Sequence, residues 1–140
     1  MNSLVVWYPR FVGVCFLGIA TLMAIHPQGN LMEDGVDFNS FTIAGKAEVR
    51  AYYVGTALAV AWGCCSSDTR AALQLVAIVL GGFAGTRVLG YLLDGVDPNE
   101  AFRFHQNAVF VVEVLGCLLA RYLGRRVSES APRSKPFIKP

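Results

Sequence analysis

Long stretches without charged side chains limit what this chain can fold into. No Asp, Glu, Lys or Arg occurs in residues 11–25, 51–65 or 71–86, and residues 104–120 contain one, Glu113. With their flanks, these stretches reach the roughly 17–25 residues that a helix needs to cross a membrane. A soluble bundle would need a polar face recurring about every 3.6 residues, and ALQLVAIVLGGFAG at residues 72–85 has none.

We therefore predict an all-α fold, an integral membrane bundle of four transmembrane helices at about residues 7–25, 46–64, 69–93 and 98–123. The composition agrees, because 16% of the residues are charged, whereas soluble domains average about 25%. The helices define one transmembrane domain over residues 1–127. An extended, basic, proline-rich tail follows over residues 128–140.

The charges differ between the two ends of the predicted bundle. Four crossings bring both termini and the loop around Asp68 to one end, where basic residues outnumber acidic ones; at the other end acidic residues dominate. Positive charge marks the side from which helices insert, so both termini should face cytosol, matrix or stroma. The basic residues of the first end are Arg10, Arg70, Arg121, Arg125, Arg126, Arg133, Lys135 and Lys139.

The first residues, MNSLVVWYPRF, contain neither a basic n-region nor an Arg- and Ser-rich presequence. The first helix is therefore expected to be retained. The mitochondrial inner membrane is the favoured location, since no cleaved presequence is visible after Met1. The thylakoid and the bacterial inner membrane are the alternatives.

An acidic, turn-rich phrase occurs twice, as DGVDFNSF at residues 34–41 and as DGVDPNEAF at residues 94–102. Duplication of a helix pair would explain the two copies and the similar residues around them. Asp97 is the expected N-cap of the fourth helix, with Glu100 completing a capping box, and Asp37 is the cap in the first copy. A cation site is the alternative, although neither copy has the full spacing of a calcium loop.

Three charged residues lie where lipid would penalise them. Arg50 is near the start of helix two, Arg87 near the end of helix three, and Glu113 near the middle of helix four. A lone charge at mid-membrane costs about 2.5–3.5 kcal/mol on insertion scales. We expect an interior polar cluster of these residues, with Gln106 completing its hydrogen bonds. A structural lock is the first interpretation; a pocket for an anionic head group or small carboxylate and a proton relay are the alternatives.

No motif in the chain indicates catalysis. Walker A, HExxH, CxxC and nucleophile-elbow patterns are absent, and the cysteines lack metal-ligand spacing. We expect a protein that is not an enzyme and binds no metal or cofactor, with ligation of a haem or chlorophyll by His105 as the alternative. The segment RYLGRR at residues 121–126 favours anionic lipid over nucleic acid as a partner.

The chain resembles a family of small four-helix integral membrane proteins, common in bacteria, that is known only as a domain of unknown function. EVRAYYVG at residues 48–55 resembles the family's E-x-R-A-x-Y-G-G, and GTRVLGYLLDG at residues 85–95 resembles its G-R…D-G, while Glu113 matches a glutamate in helix four. Val54 replaces the first glycine, and Thr86 is inserted before Arg87. Over residues 9–124 the resemblance implies four spans and no established activity.

The tail SESAPRSKPFIKP has three prolines and too few apolar residues to fold alone. We expect it to bind a partner. This favours a structural or accessory subunit of a large energy-transducing membrane complex, such as a respiratory-chain or ATP synthase complex, in contact with other membrane subunits. The alternative is a stand-alone membrane binder or transporter of a small anion or lipid head group that uses Arg50 and Arg87. The expected partner-binding residues of the tail are Arg133, Lys135, Phe137, Ile138 and Lys139.

Overall fold

Five α-helices and one 3₁₀ turn make up the described chain. The computed structural model describes residues 3–33, 37–95 and 100–130. No β-strand occurs in these ranges, so the predicted all-α class is confirmed. The elements are α1 (Ser3–Ile25), α2 (Pro27–Glu33), a 3₁₀ turn (Phe38–Ser40), α3 (Ile43–Cys64), α4 (Thr69–Asp94) and α5 (Glu100–Ser130).

Three segments of these helices are long and apolar enough to cross a membrane, namely Ser3–Ile25, Thr69–Leu93 and Gln106–Glu129. The remaining predicted span coincides with α3, which is not among them. The first turns of α3 carry Lys46, Glu48 and Arg50. These charges make α3 less apolar than the three candidate spans. The described chain thus contains three candidate spans, and a fourth crossing by α3 stays a prediction.

The outer limits of the bundle differ from those predicted. Helix α1 begins at Ser3 and therefore contains Pro9, which lacks the amide that would bond to the carbonyl of Val5. Helix α5 continues to Ser130, so the predicted tail boundary at residue 128 falls inside a helix. The first residue that disfavours helix here is Pro132. Residues 131–140 lie outside the described residues.

Helices α3 and α4 each start at a residue whose side chain caps the helix. The Thr42 hydroxyl accepts a 3.1 Å hydrogen bond from the amide of Gly45 in the first turn of α3. The Asp68 carboxylate accepts from the amides of Arg70 and Ala71, at 2.9 and 3.1 Å. Because such caps satisfy amides that have no partner within the helix, α3 and α4 have defined starts.

The helices pack most closely as two antiparallel pairs, α1 with α3 and α4 with α5. In the first pair a Cβ atom on Gly13 would lie 2.9 Å from the Cβ of Cys64 and 3.2 Å from the carbonyl oxygen of Ala61. The absence of a side chain at Gly13 therefore sets how closely α1 approaches α3. Each pair corresponds to one unit of the predicted duplication, which itself stays a prediction.

One end of the bundle joins parts of three helices that are distant in sequence. Val5, Leu73 and Leu123 form a buried cluster, with exposures of 4%, 1% and 2%. These residues come from the start of α1, the start of α4 and the C-terminal part of α5. The start of α1 and the C-terminal part of α5 therefore lie at the same end of the bundle, together with the α3–α4 connection.

Candidate functional site

An ion pair joins α4 to α5. The Nε atom of Arg87 donates to Oε2 of Glu113 at 2.9 Å. Glu113 is 5% exposed and is the only charged residue that is buried in the described part of the chain. An unpaired buried carboxylate would carry a large desolvation cost, and the ion pair with Arg87 offsets it.

Gln106 extends this pair toward the start of α5. It lies two turns before Glu113 on the same helix, and its side-chain oxygen accepts a hydrogen bond from Nη1 of Arg87. The planar guanidinium therefore donates to two acceptors on one helix, which suits its forked arrangement of N–H groups. About a quarter of the Arg87 side chain, 27%, is exposed, so the cation lies at the edge of the packed interior.

The helix turn after Glu113 is packed against two other helices. The Tyr8 hydroxyl of α1 donates a 2.8 Å hydrogen bond to the carbonyl oxygen of Gly116. A Cβ atom on Gly116 would come within 2.6 Å of Leu80 on α4. Ala120, one turn further, is fully packed at 1% exposure. Small residues on the Glu113 face thus let α1 and α4 approach α5 closely.

Arg50 lies in a different environment from the expected interior cluster. Its guanidinium carbon is 5.0 Å from the ring centroid of Phe38, and the Nζ of Lys46, one turn earlier, is 5.7 Å from the same centroid. No ion pair links Arg50 to Glu113 among the described residues. The expected group of three charges is therefore corrected to an Arg87–Gln106–Glu113 cluster, with Arg50 elsewhere.

The reason for the position of Arg50 is the segment before α3. Phe38 is 4% exposed and packs with Met23 and Leu31. Its ring therefore covers the apolar residues at this end of the α1–α3 pair. Arg50 is exposed and covers this ring, where a cation over an aromatic face contributes about 0.5–1 kcal/mol. The arginine therefore belongs to the loop end of α3.

The predicted caps have different outcomes. Asp37 caps the 3₁₀ turn, because its carboxylate accepts from the amide of Asn39 at 3.0 Å and from Nε2 of Gln28 at 3.1 Å. Helix α5 begins at Glu100, but the side chain of Glu100 and the whole of Asp97 lie outside the described residues. The same holds for the side chain of His105 and for the tail residues Arg133, Lys135, Phe137, Ile138 and Lys139.

Sequence reasoning missed one contact of this site and two helix caps elsewhere in the bundle. The hydrogen bond from Tyr8 to the Gly116 carbonyl has no sequence signal, because the two residues are 108 positions apart. The caps at Thr42 and Asp68 do have one, since each is a short polar residue just before an apolar helix. In the described ranges, no three or more His, Cys, Asp or Glu side chains come together as a metal site would require.

The fold and this cluster describe an all-helical protein whose long apolar helices are compatible with a membrane and in which a paired, buried glutamate links two of them. No protein family, curated protein or solved structure matches the chain. The resemblance to a family known only as a domain of unknown function stays a prediction.

Proposed function

We propose that this is an integral membrane protein with four spanning helices that serves as an accessory subunit of a larger membrane complex. The observation that carries the proposal is the outward face of α3, the long helix that contains no candidate span. A row of small residues, Ala51, Gly55 and Ala59, runs along that face and is suited to contact with another helix. The more specific assignment to a respiratory-chain or ATP synthase complex of the mitochondrial inner membrane stays a prediction from the sequence.

The outer surfaces of α1, α4 and α5 support a lipid environment. Large apolar side chains on each of them are mostly exposed, with 65% for Phe11, 71% for Ile78 and 61% for Leu115. A monomer in water rarely exposes contiguous apolar surface of this kind. In a membrane the same side chains contact acyl chains without cost.

Helix α3 combines spanning length with a different outer surface. Its 22 residues extend about 33 Å, enough to cross the hydrocarbon core. Ala51, Gly55 and Ala59 recur at every fourth position and are all exposed. A Cβ atom on Gly55 would meet no other heavy atom within 4 Å. This spacing of small residues is the one that lets transmembrane helices approach each other closely.

Helix α3 has no segment as apolar as the candidate spans of α1, α4 and α5. This gives a reason for a partner on its outward face. On its inner side α3 packs against α1 through Ala57 and Ala61, which are 4% and 8% exposed. On its outer side, Trp62 is 84% exposed beside the small residues. A helix with charged first turns is held in a membrane more easily when protein, rather than lipid, covers both sides.

The Arg87–Gln106–Glu113 cluster has a structural role in this proposal. One positive and one negative charge balance each other, and the pair determines the register of α4 against α5. The alternative function, binding or transport of a small anion through Arg50 and Arg87, requires both cations to be available to one ligand. Their described partners, the Phe38 ring and Glu113, are different, which makes the accessory role the better supported of the two.

The test is the size of the particle that contains the native protein. The full chain, tagged and extracted from its own membranes in mild detergent, should migrate on a native gel well above the size of a 15.2 kDa protein in a micelle, with other subunits identified by mass spectrometry. Migration of the wild-type protein alone would overturn the proposal and favour the anion binder.

Two matched double variants examine the α3 face itself. G55L/A59L fills the row of small residues, and we expect it to reduce co-purification of the other subunits. G18L/A24L makes the same change in composition on exposed positions of α1; a Cβ on Gly18 also meets nothing within 4 Å. Equal co-purification of both variants would show that α3 does not carry the interface.

A further inference from the structure

A crevice of about 380 Å³ opens between the start of α4 and the end of α5. It lies at the end of the bundle that contains the Val5–Leu73–Leu123 cluster and the α3–α4 connection. Neither the ion pair of Glu113 nor the outward face of α3 contributes to its lining.

Three arginines line the crevice. Arg70 comes from the first turn of α4, while Arg121 and Arg125, four residues apart, come from one face of α5. All three are exposed, and none forms an ion pair with a carboxylate in the described ranges. Glu129 also lines the crevice, so its positive side chains outnumber the negative one by three to one.

The floor of the crevice is apolar. Leu73 and Ala120 are each 1% exposed, and Ala77 continues the floor further from the end of the bundle. A Cβ on Gly124 would lie 4.0 Å from the Cβ of Leu73, so the glycine leaves the space above the floor open. Ala77 lies about 10 Å deeper along α4 than Arg70 at 1.5 Å per residue. The charged groups are therefore near the end of the bundle, and the apolar surface extends toward its middle.

We propose that this crevice binds a phosphate group, either in the headgroup of an anionic phospholipid or as free phosphate. The inference rests on the proposed membrane insertion, which places this end of the bundle at the lipid headgroups. Guanidinium groups bind phosphate oxygens through paired N–H donors. Arg121 and Arg125 donate from one helix and Arg70 from its neighbour, so one phosphate bridges α4 and α5.

A phospholipid uses both parts of the crevice, whereas free phosphate uses only one. The phosphate of a lipid lies among the arginines, and an acyl chain extends along Leu73, Ala77 and Ala120 in the direction of the membrane core. Inorganic phosphate has no group to place on this apolar floor. The two sources therefore predict different responses to changes in the floor and in the arginines.

The experiment measures retention of phosphatidylglycerol by the full chain, purified in detergent, using native mass spectrometry. The variant R121Q/R125Q should lose about tenfold or more in lipid affinity relative to a control that lacks the same number of charges, since each basic residue near anionic lipid contributes about 1 kcal/mol. Inorganic phosphate, added as a competitor, should fail to displace the lipid if a phospholipid is the ligand. Displacement at low concentration would instead assign the site to free phosphate.

The matched control is R10Q/R126Q. Both arginines are engaged with aromatic rings, as Arg126 lies 5.2 Å from the Tyr122 ring and Arg10 lies 5.8 Å from the Trp7 ring. Neither lines the crevice. If this control loses as much lipid as R121Q/R125Q, binding reflects general surface charge and the proposed site is overturned.

A third variant, G124L, fills the crevice and leaves every charge in place. It should lose phosphatidylglycerol and keep any phosphate binding; full retention of the lipid would overturn the assignment to a phospholipid. Alkaline extraction of membranes containing each protein is carried out in parallel. A wild-type chain that is released by alkali contradicts the proposed membrane function, whereas an inserted chain that shows no preference for the anionic lipid contradicts only the crevice.

Discussion

Arg87 on α4 donates from Nε to Oε2 of Glu113 on α5 across 2.9 Å. The carboxylate is buried, while the arginine is partly exposed, so the two partners do not respond equally to substitution. Loss of the cation leaves a buried negative charge. Loss of the carboxylate leaves a cation that can still reach the outside of the bundle.

We expect Arg87→Leu to lower the free energy of unfolding by about 3–5 kcal/mol, because it leaves the buried charge of Glu113 without its ion-pair partner. Adding Glu113→Ala to this variant should restore part of the loss, since neither charge then remains. The measurement is a double-mutant cycle of unfolding in detergent. If the effects of the two substitutions simply add, the residues do not stabilise each other and the pair is not a structural lock.

The close approach of α1 to α3 predicts opposite outcomes for two glycines of the same helix. Gly13→Ala places a Cβ 2.9 Å from that of Cys64 and should destabilise the protein by about 1–3 kcal/mol. Gly18→Ala adds a methyl group in open space and should be neutral or slightly stabilising. Thermal unfolding of both variants in the same detergent checks this. A fully stable Gly13→Ala protein would mean that the two helices are further apart.

Accessibility of single cysteines tests whether α3 crosses the membrane. In a background without the native cysteines, Ser3→Cys, Ser66→Cys and Ser128→Cys should react with an impermeant reagent from one side, and Ser40→Cys from the other. Labelling after detergent lysis controls for reactivity. Four crossings place residue 66 with the two ends of the chain, whereas labelling of residue 66 from the same side as residue 40 would leave α3 outside the bilayer.

Removal of the tail tests its predicted role in partner binding. Deletion of residues 131–140 should leave thermal unfolding of the bundle unchanged and weaken co-purification with other subunits, more strongly at high salt because charge contacts are screened. A control of full length replaces Arg133, Lys135 and Lys139 with Gln and keeps the apolar Phe137 and Ile138. It should show an intermediate loss. Complete assembly of the deleted protein would remove the tail from the interface.

The sequence by itself determined the four long helices of this protein. Charge-free stretches of spanning length require helices, because a membrane or an apolar interior offers no water to satisfy the backbone. The boundary between α3 and α4 also follows from local chemistry, since Asp68 caps α4 and the connection is short and polar. The need of Glu113 for a partner was likewise evident, because a single carboxylate in an apolar helix is costly wherever the helix packs.

Only the tertiary structure decided which side chains meet. Arg50 and Arg87 were equal candidates by sequence, and the antiparallel packing of α4 with α5 brings Arg87 level with Gln106 and within reach of Glu113. Arg50 instead meets Phe38, a residue of the 3₁₀ turn whose burial no periodicity indicates. The crevice between Arg70 and Arg125 combines helix ends that are distant in sequence. The physical reason is that helical periodicity reports which residues share a face, whereas contacts between helices depend on which helices are neighbours and on their rotation and register.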